Sequence, residues 1–100
     1  MTTMEVDQVI KYLDGGVGVY IVDSDGNEWY YNKVGLHRDN GPAVIYTDGS
    51  RMWYSNGKCH RTDGPAVEGP YGRSWFLNGV EINCSSQEEF DRLINVRAFL

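Results

Sequence analysis

Through the middle of this chain, short apolar segments are separated by Asp-Gly and Asn-Gly pairs, whereas both ends carry apolar residues at helical spacing. At the start, Thr2 with Glu5 fits a capping box, and Val6, Val9, Ile10 and Leu13 follow an i, i+3, i+4, i+7 pattern before Gly15-Gly16. The pattern predicts a helix over residues 3–14. At the other end Ser85 or Ser86 can cap, with Glu88 or Glu89 three residues on. Phe90, Leu93, Ile94 and Arg97 or Ala98 then form a stripe, which predicts a helix over 86–98. Between them, residues 17–84 read as a sheet whose ends these helices cover.

The middle of the chain repeats itself. "GLHRDNGPAVIYTDGSRMWYSNG" is followed by "KCHRTDGPAVEGPYGRSWFLNG", and a worn first copy lies in "VYIVDSDGNEWYYNKVG". His37 and His60, Gly41 and Gly64, and Pro42 and Pro65 are each 23 residues apart, as are Gly26, Gly49 and Gly72. A fixed period of this length marks stacked supersecondary units. Asn56-Gly57, Asn78-Gly79, Asp25-Gly26 and Asp48-Gly49 are signals for two-residue type I′ turns, which need positive φ at both central positions. Each copy therefore reads as strand, turn, strand, turn and short third strand; in the second copy these fall near 43–47, 50–55 and 58–60. Proline after Gly41 and Gly64 belongs at a strand start. The expected fold is α+β but mainly β, one domain over residues 1–100, with an antiparallel meander of hairpins about 23 residues long flanked by two helices.

Two irregularities carry further expectations. Gly26 and Gly72 precede a tryptophan by three residues, but Gly49 precedes Trp53 by four, so a bulge is expected at Ser50–Met52. Asn32-Lys33-Val34-Gly35 replaces the compact Asn-Gly and predicts a longer loop. Aligned on tryptophan, the copies place Trp29, Trp53 and Trp75, with Tyr31 and Leu77, on one face, and Tyr30, Tyr54 and Phe76 on the other. Both rows can be structural; a row left partly exposed would be an adhesive face for a partner.

Composition agrees with short strands and tight turns: twelve Gly, three Trp, seven Tyr, three Phe and three Pro. The 41% hydrophobic fraction is too high for a disordered tail. No apolar run approaches the roughly 20 residues of a membrane span. The first residues lack the basic and apolar regions of a signal peptide, so a cytoplasmic protein is expected, in the host cell if the source is viral. The net charge of −5 is uneven: residues 1–31 hold Glu5, Asp7, Asp14, Asp23, Asp25 and Glu28 against Lys11 alone. No basic stripe tracks a phosphate backbone, which disfavours direct nucleic-acid binding. Acidic Asp23, Asp25 and Glu28 could face a basic partner beside Tyr30, Tyr54 and Phe76; solubility charge is the plainer reading.

Candidate chemistry is sparse. Cys59 and Cys84 read as free thiols, and with His37 and His60 they lack metal-ligand spacing, so no metal or cofactor is expected. Gly15-Gly16-Val17-Gly18 is followed by no phosphate-loop lysine, and there is no nucleophile elbow. The strings His37-Arg38-Asp39-Asn40-Gly41-Pro42-Ala43 and His60-Arg61-Thr62-Asp63-Gly64-Pro65-Ala66 hold the groups nearest to acid–base or phosphate-binding chemistry. A box that recurs in each full copy suits structure better than a single active site. Its Asp can take turn amides or pair with its Arg, and its His can fill a joint.

Over roughly residues 20–91, "HRxDGPAV", "DG", "WYxNG" and "WFLNG" closed by "SSQEEF" resemble the HRxDGPA-type, MORN-like hairpin repeat proteins of large phages, giant viruses and some bacteria. The resemblance implies a hairpin sheet used as a scaffold or interaction module; related bacterial proteins have been read as antitoxins. The regular glycine pattern of MORN repeats is missing here, so that family's lipid roles are not carried over. The expectation is a non-enzymatic viral accessory protein that binds and inhibits or redirects a host protein such as a defence or transcription component. The alternatives are an antitoxin, or a trap for an anionic nucleotide at His37, Arg38, Asp39, His60, Arg61 and Asp63. An exposed sheet edge or aromatic face could equally support a homodimer.

Overall fold

The turns divide into two kinds, and the division sets the sheet. At Asn56-Gly57 and Asn78-Gly79 both residues have positive φ, at 50° and 85° and at 49° and 85°, as type I′ hairpins require. At Gly26 and Gly49 the glycine alone is positive, at 90° and 93°. The amide of Asp23 donates to the Asn27 carbonyl, and that of Tyr46 to the Ser50 carbonyl, so each of these loops holds three residues. The Asp-Gly pairs are thus not two-residue type I′ turns. Their aspartates keep ordinary φ, and glycine alone takes the left-handed position that closes a three-residue loop.

The computed structural model describes residues 9–12 and 18–98. Strands β1 (Val9–Tyr12), β2 (Val19–Val22), β3 (Glu28–Tyr31), β4 (Val44–Ile45) and β5 (Arg51–Met52) are followed by β6 (Tyr54–Ser55) and β7 (Lys58–Cys59). Then come β8 (Val67–Gly69), β9 (Gly72–Leu77), β10 (Val80–Ile82) and helix α1 (Gln87–Ala98). Neighbours run in the order β1-β2-β3-β4-β5-β8-β9-β10, every pair antiparallel, while β6 and β7 pair beside this array. A mainly β antiparallel meander with a C-terminal helix is the observed fold.

The N-terminal helix expected over 3–14 is replaced at residues 9–12 by β1, which pairs with β2 from Val9↔Val22 to Tyr12↔Val19. Val9, Ile10 and Tyr12 favour extended backbone, and pairing satisfies the edge of β2 that a helix would leave open. The rest of that expected helix lies outside the described residues. The C-terminal expectation agrees to within a residue. Ser86 Oγ accepts from the Glu89 amide at 3.1 Å, and the Glu89 carboxylate reaches back to the Ser85 amide at 2.9 Å, so the capping pair is Ser86 with Glu89.

The register overturns the bulge. Val44↔Met52 and Ile45↔Arg51 on one side, and Arg51↔Glu68 and Met52↔Val67 on the other, run without interruption through Ser50–Met52. The irregularity lies elsewhere: Gly69 pairs with Gly72 across Pro70-Tyr71, a loop one residue shorter than Thr47-Asp48-Gly49. The tryptophan alignment fails with it. Trp29, paired with Val44, shares its row with Met52 and Val67. Tyr30 and Trp53 occupy matching places, their amides donating to Ala43 and Ala66. Tyr30, Trp53 and Trp75 therefore share one face, and Tyr54 and Phe76 lie on the other with Trp29, Tyr31 and Met52. The loop at Asn32–Gly35 is no longer than its counterpart. Lys33-Val34 occupy the place of Asn56-Gly57, and Asn32 Oδ1 accepts from the amides of Val34 and Gly35 at 2.8 and 3.1 Å. The asparagine side chain supplies the bonds that a positive φ would otherwise make easy.

The core sits at the last hairpin. Trp75, Ile82 and Phe90 are buried together, with Leu77, Cys84 and Ile94 packed around them. Trp75 and Ile82 face each other across the β9–β10 ladder, and α1 lies on them through Phe90. Trp75 Nε1 donates to Gln87 Oε1 at 2.7 Å, so the buried indole keeps a partner. Elsewhere, among the described residues, the sheet is one layer thick, and large side chains shield one another as half-buried rows: Tyr20 against Tyr30 at 4.7 Å and Trp29 edge-on to Tyr46 at 5.7 Å.

Candidate functional site

The two boxes leave the sheet as loops, between β3 and β4 and between β7 and β8. After the Leu36 bridge to Tyr31, the His37 amide donates to the Tyr30 carbonyl and the Arg38 amide to the Tyr54 carbonyl, before the chain swings out and returns at Ala43. The second box does the same: His60 bonds to Trp53, Arg61 to Phe76, and the chain returns at Ala66. Each box thus lies between one long strand and the next.

Side chains repeat the arrangement. His37 Nδ1 accepts from the Asn56 amide at 2.9 Å, and His60 Nδ1 from the Asn78 amide at 3.0 Å. Both amides belong to the first residue of the next type I′ turn, so each imidazole joins one hairpin to its neighbour. These bonds assign the ring proton of each neutral histidine to Nε2. Arg38 folds over the Tyr30 ring at 3.9 Å and donates to the Pro42 carbonyl at 3.1 Å. Arg61 lies over Trp53 at 3.7 Å and donates to the Pro65 carbonyl at 3.1 Å. Glycine follows because the guanidinium comes back against the loop. A Cβ at Gly41 would stand 3.2 Å from Arg38 Cζ, and one at Gly64 2.6 Å from Arg61 Cζ.

The acids differ between boxes. Asp39 takes His37 Nε2 at 2.8 Å, whereas Asp63 takes Arg61 Nε at 2.9 Å. The hydrogen bond from Arg61, then its charge, hold the Asp63 carboxyl below the usual aspartate range. The two boxes line a single open cleft of about 630 Å³, with Trp53, Tyr54 and Ser55 between them. This volume falls in the range of small-molecule sites. Beyond the second box the next groove is filled: α1 lies there, and Gln87 Nε2 donates to the Thr62 carbonyl at 3.2 Å.

The residues expected to meet a partner are scattered. Tyr30 is held between Tyr20 and Arg38. Glu28 Oε1 accepts from the Tyr20 hydroxyl at 3.1 Å. Asp23 accepts from the amides of Asp25 and Asn27 and from the Trp29 indole at 3.0 Å, and the indole bond leads the causes that lower its pKa. Asp25 is exposed at its turn. Tyr54 and Phe76 stay together on the face opposite α1. Cys59, buried on that face across from Tyr54, has its thiol pushed up to about 11 by burial. Among the described residues, no three His, Cys, Asp or Glu side chains group as metal ligands would. No helix among them is long and apolar enough to cross a membrane.

Trp53 as a wall of the cleft escaped the sequence reading, which placed it with Trp29. The one-residue offset in glycine-to-tryptophan spacing was the available signal, because it separates Trp53 from Trp29 as readily as it suggests a bulge. The contribution of Asn56 and Asn78 amides to the histidines left no local signal. In comparisons with protein-family models, curated proteins and solved structures, nothing matches this chain.

Proposed function

We propose that this chain is a hairpin-repeat protein of the HRxDGPA type that works as a non-enzymatic protein-binding module, a viral accessory protein that engages a host protein in the cytoplasm. The observation that carries this reading is the sheet face opposite α1. There Trp29, Tyr31, Tyr46, Met52, Tyr54 and Phe76 form a half-buried band, largely aromatic, on a sheet that among the described residues is one layer thick, and α1 lies on the other face. The boxes serve this role as joints that hold successive hairpins in register. Asp25, at the exposed turn beside the band, adds an acidic rim.

The test is capture with cross-linking. The full chain should hold a host protein whose cross-links map to the Tyr54–Phe76 face, and Phe76→Glu should lower its recovery about tenfold while thermal unfolding shows the sheet intact. Cross-links confined to the α1 face, or recovery unchanged by Phe76→Glu, would sink the proposal.

A further inference from the structure

The two boxes differ in one respect that gives their shared cleft a chemical polarity. In the first, the acid stands third and reaches the histidine: Asp39 holds His37 Nε2 at 2.8 Å. Arg38 is left with the Tyr30 ring and the Pro42 carbonyl, and has no carboxylate partner among the described residues. In the second, the acid stands fourth and reaches the arginine: Asp63 holds Arg61 Nε at 2.9 Å. There His60 uses Nδ1 for the Asn78 amide, so its Nε2–H is a donor with no acceptor among the described residues. Exchanging Asp39-Asn40 for Thr62-Asp63 thus leaves an uncompensated guanidinium in one wall of the cleft and a spare imidazole N–H in the other.

We infer that this cleft binds a phosphate monoester carried on a flat ring, a nucleoside monophosphate being the probe that fits. Two donors on opposite walls suit a tetrahedral phosphate, whose three terminal oxygens can be shared between them; a carboxylate offers only two oxygens in one plane. Arg38 has four N–H groups beyond the one given to Pro42, enough for a forked contact. Arg61, which covers Trp53 at 3.7 Å, offers the outer face of its guanidinium to the flat ring, and the cleft of about 630 Å³ leaves room for it. Asp63 is paired with the Arg61 charge, whereas Asp39, bonded to a neutral imidazole, keeps its charge on a side chain 82% exposed, where solvent screens it from the ligand. Arg38 and Trp53 lie on the α1 side of the sheet, and Tyr54 is the cleft residue shared with the aromatic band.

Isothermal titration of the full chain with adenosine monophosphate, adenosine, inorganic phosphate and benzoate tests it. The monophosphate should bind at least about tenfold more tightly than adenosine or inorganic phosphate, since each of those lacks one half of the recognition. Arg38→Gln should remove that advantage. Because Arg38 also folds over Tyr30, Thr62→Glu serves as a second variant. Its side chain is exposed and only its carbonyl is bonded, so it adds a carboxylate at the rim and should weaken the monophosphate about tenfold with unfolding unchanged. Three results would overturn the inference: no heat with any probe, benzoate as tight as the monophosphate, or monophosphate binding unaltered in Thr62→Glu.

Discussion

Trp53 and Trp75 occupy the same place in successive hairpins but are covered by different means. The strand carrying each is met by a box amide, Arg38 at Tyr54 and Arg61 at Phe76, and the turn beyond each donates to a histidine. Over Trp53 lies a guanidinium at 3.7 Å; over Trp75 lies a helix, which leaves the indole 2% exposed. Where the earlier joint has His60, the last hairpin has Ile82, buried against Trp75 and Phe90. The difference follows from position. An internal hairpin has a following turn whose amide can be received by an imidazole, so directional bonds stitch it in. The last has none, and apolar burial under α1 takes over. Arginine cover leaves a cleft beside it, whereas helix cover fills the groove.

The largest effect should therefore come from the helix side. Phe90 is fully buried on Trp75 and Ile82, and Phe90→Ala should lower unfolding free energy by about 3–5 kcal/mol through lost burial and a cavity. Urea unfolding followed by tryptophan fluorescence measures it. A loss below about 1 kcal/mol would mean that α1 is an ornament on the sheet and that the joints carry the stability.

The box side should give a smaller and graded response. A methyl at Gly64 would stand 2.6 Å from Arg61 Cζ, against 3.2 Å for Gly41 and Arg38. The guanidinium is flexible enough to move aside, so the cost is the lost ring contact and the bond to the Pro65 carbonyl, about 1–2 kcal/mol. Gly41→Ala should cost less, because a few tenths of an ångström suffice there. Thermal unfolding of the two variants ranks them, and equal losses would show that the arginines do not brace the loops.

These contrasts also explain what could be read in advance. The 23-residue spacing, the Asn-Gly turns and the Ser86–Glu89 cap are local in the chain, so sequence alone reveals them. Val9, Ile10 and Tyr12 satisfy a helical period and a strand preference together, and pairing with β2, a tertiary fact, decided between them. The faces of the aromatic rows depended on loop length. Pro70-Tyr71 is shorter by one residue than Thr47-Asp48-Gly49, and this one residue restores the alignment of Trp53 with Trp75 while separating both from Trp29. Both boxes were visible as candidates, but the division of labour within them was not. Whether an aspartate reaches a histidine or an arginine depends on how the loop leaves the sheet.

The smallest expected effect separates the two ends by titration. At the first hairpin Asp23 accepts the Trp29 indole and the amides of its turn, and these bonds hold its folded pKa below the ordinary value of 3.8. At the next turn, the Ser50 amide lowers Asp48 in the same way. A depressed carboxylate pKa adds stability that is fully present above the unfolded value near 3.8 and is lost as pH falls through the lower folded value. The third loop, Pro70-Tyr71, has no such acid, and the Trp75 indole rests on the neutral amide of Gln87. In one proton spectrum taken from pH 6 downward, the Trp29 indole N–H should therefore shift below about pH 3.8 while that of Trp75 stays in place. Asp23→Asn should abolish the Trp29 titration. If both indoles moved together, acid would be loosening the whole sheet cooperatively, and the division between stitched hairpins and a helix-covered end would fail.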